Sequence, residues 1–218
     1  MREFARDRID DACLYWPTRL SSGDSGYADD GNMTHGPFNW IDPRAQRAVL
    51  VSLTVMLFCS SAWLSYMDRN LVSAAAPNGI ISFELAGSLE QSEAIIQSWS
   101  GLAQSAALLI QGFDYLYLFI YPTWFSLAAI LLGARLGGRW QSAGLVTGWI
   151  VLFTAPLDAV ENYALIQQLL QGANAALAQL ALWCALPKFA LLTVSTAFLL
   201  LAVGAWIVRS LGQETKSP

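Results

Sequence analysis

The chain has 218 residues, 55% of them hydrophobic and only 13% charged, about half the charged share of an ordinary soluble domain. That scarcity argues against a soluble enzyme, and a net charge of −4 without a basic stripe argues against a nucleic-acid partner. A single histidine, His35, sets aside histidine-ligated haem, copper or zinc within a membrane, and Cys13, Cys59 and Cys184 form no C-x-x-C pair. No metal or cofactor is therefore expected, and Cys59 and Cys184 read as packing residues.

Residues 1–47 are polar, with Gly, Asp and Ser clustered in Ser21–Gly31, and are expected to form a flexible cytoplasmic segment. No charged-then-apolar signal peptide precedes the first apolar run, so that run is expected to stay as an anchor. Met33, just ahead of the lead-in Trp40–Arg47, is a second candidate start, which makes residues 1–32 a candidate upstream extension. Four uncharged runs follow: Ala48–Met67, Tyr115–Ala134, Asn162–Pro187 and Phe189–Val208, each of 20 residues or more. Since ~20 apolar residues cross a bilayer as a helix, the expected fold is an all-α four-helix membrane bundle. Its spans are placed at about 48–67, 108–133, 143–168 and 180–208, with a tail at 209–218.

Between the first two spans lies a loop, 68–107, that is more than linker. Ile80–Leu85 alternates like a short strand that Gly87 ends. Ser88-Leu89-Glu90-Gln91 is a capping box opening a short helix to about Trp99, whose apolar Leu89, Ile95, Ile96 and Trp99 suit a face resting on the membrane or on the bundle mouth. Arg44, Arg47, Arg135, Arg139, Arg209 and Lys216 flank one side of the spans, and Arg69 the other. The positive-inside rule then puts both termini in the cytoplasm and the loop outside. Trp40, Trp140 and Trp206 fall near the inner boundary and Trp63, Trp99 and Trp183 near the outer one, as an aromatic belt would.

The remaining charges share one depth. Asp68, Asp114, Asp158, Glu161 and Lys188 each lie 19 to 22 residues from an inner-side arginine, about 30 Å at ~1.5 Å per residue. Asp158, Glu161 and Asn162 stand at i, i+3 and i+4 on one helix face. Asp114 shares its side with Leu118 and Tyr121, and Lys188 follows Pro187. Ionisable groups within spans face a bundle interior or a wet cavity, so these residues predict a polar pocket at the outer end. Pro122, Pro156 and Pro187 are expected to kink their helices around it, freeing carbonyls that need partners. Gly144 and Gly148 form a G-x-x-x-G for close packing, within the chain or between copies.

Three acids in the spans face one lysine, so a closed set of ion pairs leaves at least one carboxyl protonated, solvated or bound to a ligand. One reading is a pocket for a small polar ligand, cation or lipid head group, or a lipid-directed enzyme with Glu161 or Asp158 as general base and Lys188 holding an anionic head. A second is an accessory or scaffold subunit of a membrane complex, whose charges are structural pairs. A third is a small proton-coupled transporter, which with four spans and no internal repeat needs to oligomerise. The D-x-x-E of Asp158–Glu161 is too short for a metal-pyrophosphate site, and no D-G-x-x-A-R of the alcohol-phosphatidyl transferases occurs, so no catalytic role is assigned.

The stretch Ile80-Ile81-Ser82-Phe83-Glu84-Leu85-Ala86-Gly87, the Phe113-Asp114-Tyr115-Leu116 opening of the second span with Tyr121, and Pro156-Leu157-Asp158-Ala159-Val160-Glu161-Asn162 together resemble a group of uncharacterised bacterial four-span membrane proteins. The resemblance covers about residues 48–208. It implies the four-span topology and an inner-membrane location, draws attention to Glu84, Asp114, Asp158, Glu161 and Asn162, and supplies no reaction.

Overall fold

The computed structural model describes residues 36–214; the expectations placed on Cys13, His35, Lys216 and the stretch before residue 36 lie outside them. Asp42 opens the first helix, α1 (Pro43–Asp68), by accepting the Arg44 amide at 2.8 Å, while Pro43 at the first helical position has no N–H to lose. Two short helices follow, α2 (Ile80–Glu84) and α3 (Leu89–Ser98), and then α4 (Gly101–Leu136), α5 (Arg139–Val151), α6 (Thr154–Gln171) and α7 (Ala175–Glu214). Among the described residues there is no strand. Four segments are long and apolar enough to cross a membrane: Pro43–Leu71, Gly101–Leu136, Arg139–Gln171 and Ala175–Leu211. The bundle is thus all-α with four candidate spans. Each outruns its uncharged stretch, because polar turns extend the helices beyond the apolar core.

The third span is broken where the sequence predicted a kink. Pro156 has no N–H for the Leu152 carbonyl, which instead accepts from Ala155 at 3.2 Å in a tighter turn. Leu152 and Phe153 leave the helix, and α6 restarts with Pro156 in its first turn, where a missing donor costs nothing. Neighbouring carbonyls are taken up by hydroxyls: Thr154 Oγ1 donates to Val151 O and Ser126 Oγ to Gly148 O, both at 2.6 Å. Pro122 and Pro187, by contrast, lie inside helices that run unbroken past them. The G-x-x-x-G serves α4 and α5 of the same chain. A Cβ on Gly144 would stand 2.5 Å from Ala129 O and 3.1 Å from Gly133 Cα, so the two backbones touch there.

The expected strand at Ile80–Leu85 is the helix α2. Its buried residues Ile80, Phe83 and Glu84 are spaced at i, i+3 and i+4, a helical period that five residues of weak alternation hid. Asp68 starts it, accepting the Ile80 amide at 2.7 Å across the left-handed Gly79 (φ +57°), where a Cβ would collide with the Asp68 carboxylate. The Ser88 half of the expected capping box is formed: Ser88 Oγ accepts the Gln91 amide at 3.2 Å. On α3, Ser92 and Ile95, with Trp99 just past its end, are buried on one face, while Leu89 is exposed.

Trp99 is not a belt residue. It is 4% exposed, donates its indole N–H to Leu71 O at 2.7 Å and meets Phe83 edge-on at 5.4 Å. With Leu71, Ile80, Phe83, Ile95, Ile110 and Leu165 it forms an apolar core that joins the two short helices to α4, α6 and α7. The loop is therefore a packed cap.

Packing among the long helices is uneven. α4 lies against α1, α5, α6 and α7, and α6 lies along α7, whereas α1 and α7 have no extensive contact. Ser60 is the one buried residue of α1. That helix is tied to α4 by Ser61 and Tyr117 (3.0 Å), by the Trp124 indole on Thr54 (2.8 Å) and by Trp63 against Phe113. Cys184 is buried as expected, but Cys59 is exposed, because most of α1 faces outward.

Candidate functional site

All seven residues singled out by the sequence meet at the capped end of the bundle. α6 presents Asp158, Glu161 and Asn162 from one face, each 2% exposed or less. Across from it on α7, the Lys188 ammonium, 5% exposed, donates to Asp158 Oδ1 at 2.9 Å and lies 2.8 Å from Glu161 Oε2 and 3.6 Å from Glu84 Oε2. Tyr121 of α4 donates its hydroxyl to Asp158 Oδ2 at 2.8 Å, so the aromatic hydroxyl serves the acid of α6 and not Asp114 on its own helix. Asp114 Oδ2 in turn accepts from Asn162 Nδ2 at 2.7 Å.

The cap completes this arrangement. Glu84, on the last turn of α2, is 8% exposed, and burial pushes its carboxyl above the ordinary 4.5 against the opposing pull of Lys188. Asp68, also of the expected layer, borders the same cavity, and its carboxylate is spent on the N-terminus of α2, a role invisible to depth arithmetic because its partner amide lies 12 positions on. Lys188 meets three carboxylates, so its charge is taken up by the protein where the sequence reading gave it an anionic head group. Those carboxylates surround the ammonium, and among the described residues no group of three or more ligand-type side chains is placed to hold a metal ion.

Beside the cluster lies a cavity of about 470 Å³, bounded by α1, α2, α4, α6 and α7, within the range of small-molecule sites. Asp68, Glu84, Asp114, Tyr121, Asp158 and Lys188 are among its polar lining, and Leu64, Phe125, Phe189 and Leu192 among its apolar lining. Gln111 also lines it, 1% exposed, with Oε1 lacking any hydrogen-bond partner. Sequence reasoning passed over Gln111. The available signal was its position three residues before Asp114 and ten before Tyr121, one stripe of a single helix. Asn162 Oδ1 and Glu161 Oε1, which do not line the cavity, are likewise buried without hydrogen-bond partners. The orphan atom on the cavity wall, Gln111 Oε1, is an acceptor.

Fold and site together define a helical multi-pass membrane protein with a buried ion cluster walled into one end. The chain matches no protein-family model, no curated protein and no solved structure.

Proposed function

We propose that this is a multi-pass protein of the bacterial inner membrane, as the resemblance to four-span proteins implies, with both termini cytoplasmic and the capped end outside. Its outer cavity binds a small polar ligand or lipid head group through hydrogen-bond donors carried by that ligand. One observation carries the reading: on the cavity wall, Gln111 Oε1 is a buried acceptor without a partner. A buried acceptor without a partner costs about 1–3 kcal/mol, a cost that a donor-bearing ligand removes. The basic residues at the opposite end, among them Arg44, Arg135, Arg139 and Arg209, supply the orientation.

The test pairs stability with occupancy. Gln111→Leu removes the orphan oxygen at similar volume, and Asp114→Asn keeps an acceptor for Asn162 while removing charge. Both variants are expected to melt no lower than the parent protein and to lose a small molecule that native mass spectrometry finds on the parent. An unoccupied parent protein, or unchanged occupancy in both variants, defeats the reading.

A second reading has its own support. Lys188 is so fully paired that the cluster also suits a scaffold or accessory subunit held rigid by structural ion pairs. Under it, the parent protein elutes without a small molecule and with a stoichiometric protein partner.

A further inference from the structure

We propose that the ligand is an amphiphile with a protonated amine head, which enters sideways from the bilayer between α1 and α7. This rests on the donor-binding reading above and adds the chemistry of the head, the presence of a tail and the route of entry.

The head follows from the charge and hydrogen-bond pattern. Glu84, Asp114, Asp158 and Glu161 converge around a single cation, Lys188, which takes the first, third and fourth and leaves Asp114 to the neutral amide of Asn162. Asp114 is half-buried on the cavity wall, next to Gln111 and its unpartnered Oε1. A carboxylate and an orphan carbonyl one helical turn apart suit a group with several N–H donors and a positive charge. The faces of Tyr117 and Tyr121, 5.2 Å apart and both on the wall, favour a cation as well.

The tail follows from the cavity's depth. From the level of Asp114 the lining continues down α4 to Phe125 and from Lys188 down α7 to Thr196, roughly 12–16 Å toward the middle of the bilayer at ~1.5 Å per residue. A free amine has no use for the deeper stretch lined by Phe125 and Leu192. An alkyl chain fills it.

The route follows from the packing. α2 overlies the cavity at the capped end with Ile81 and Glu84. The side is bordered by Leu64 and Ser65 on α1 and by Phe189, Leu192 and Thr196 on α7, two helices without extensive contact. Ser65 and Thr196 line the cavity and are nonetheless exposed on the lateral face of the bundle, as the two jambs of a side opening must be.

The experiment uses the full chain in phosphatidylglycerol nanodiscs, a bilayer without amine heads. Dodecylammonium, ethylammonium and dodecanoate are added at equal low concentration, and thermal unfolding is followed. Dodecylammonium is expected to raise the unfolding temperature saturably by several degrees. Thr196→Trp, on the exposed jamb, and Asp114→Asn are each expected to melt like the parent protein without additive and to weaken the dodecylammonium response at least tenfold in concentration. On the opposite jamb, Ser65→Trp repeats the test should Thr196→Trp melt differently. Ethylammonium acting as strongly as dodecylammonium overturns the tail and the side entry and leaves the donor-binding function standing. Dodecanoate acting as strongly overturns the amine head. A response to dodecylammonium alone that survives both jamb variants overturns the route. No response to any probe overturns the inference, and joined to an unoccupied parent protein by mass spectrometry it overturns the proposed function too.

Discussion

Lys188 is the residue on which the capped end depends. Its ammonium is buried and is the countercharge for Asp158, Glu161 and Glu84, so Lys188→Met strands carboxylates in an apolar interior. The expected cost is on the order of 3–5 kcal/mol, the range for breaking a buried pair, and adding Asp158→Asn should recover part of it. Chemical unfolding in detergent measures both; a double variant no more stable than Lys188→Met contradicts the network. Glu84 adds a pH dependence. Burial raises its folded carboxyl above the ordinary 4.5, so between those two values the folded chain holds a proton that the unfolded chain has released. Stability then falls as pH rises from the ordinary carboxyl range toward the raised value, with Asp158 opposing the ionised form and Lys188 and the hydrogen bond with Glu161 favouring it. Glu84→Gln, a permanent stand-in for the protonated acid, is expected to flatten that slope in melting curves taken across pH. At this scale the sequence is informative about depth and silent about pairing. Counting residues from the arginines places Asp114, Asp158, Glu161 and Lys188 together because helices have a fixed rise. It puts Asp68 in the same layer, where it lines the cavity, without giving its partner, which is set by the Gly79 turn, and it misses Gln111, which carries no charge to mark it.

Elements depend on a few local contacts that can be tested singly. The close approach of α4 and α5 leaves no room at Gly144, where an added methyl group would stand 2.5 Å from Ala129 O. Gly144→Val is expected to force the helices apart at a cost of about 1–3 kcal/mol, read as a lower melting temperature with no gain of dimer in cross-linking. Loss of a dimer on substitution would point to the intermolecular role that the same motif serves elsewhere. For α2, Asp68→Ala removes the acceptor of the Ile80 amide at an expected cost of about 1 kcal/mol, localised to the cap. Limited proteolysis should then cut within 72–88 sooner than in the parent protein. The helical character of α2 is hidden by its length: a five-residue element offers barely one period of either pattern, and the hydrophobic alternation of Ile80 to Leu85 fits a strand as well as the i, i+3, i+4 set of Ile80, Phe83 and Glu84 fits a helix. Long elements escape this ambiguity, and Ser88 announces α3 by its cap. The break at Leu152–Phe153 is half legible, since Pro156 marks it but Pro122 and Pro187 carry the same mark without breaking their helices.

For the whole molecule the testable quantity is orientation. Arg209 donates to Leu136 O at 2.6 Å, and Arg135 lies 4.8 Å from the ring centre of Trp206, so the basic ends of α4 and α7 are joined at the end opposite the cap. If that end is cytoplasmic, Asn78→Cys in the exposed cap is labelled by a membrane-impermeant maleimide on intact spheroplasts, and Gln141→Cys only after lysis, with Cys13 and Cys59 replaced by serine in both. The reverse pattern would invert the topology and place the cavity on the inner face.

α1 also differs from the other long helices in how it is held. Helices enter the bilayer as separate rods and associate afterwards, and each keeps the partners its contacts give it. α4 meets every other long helix and α7 meets α4, α5 and α6, while α1 packs extensively against α4 alone among the long helices, along a seam that includes Ser61 with Tyr117, Thr54 with Trp124 and Trp63 with Phe113. Among the described spans α1 is therefore one whose departure breaks a single long-helix seam, and with it gone the wall on that side of the cavity would be lipid.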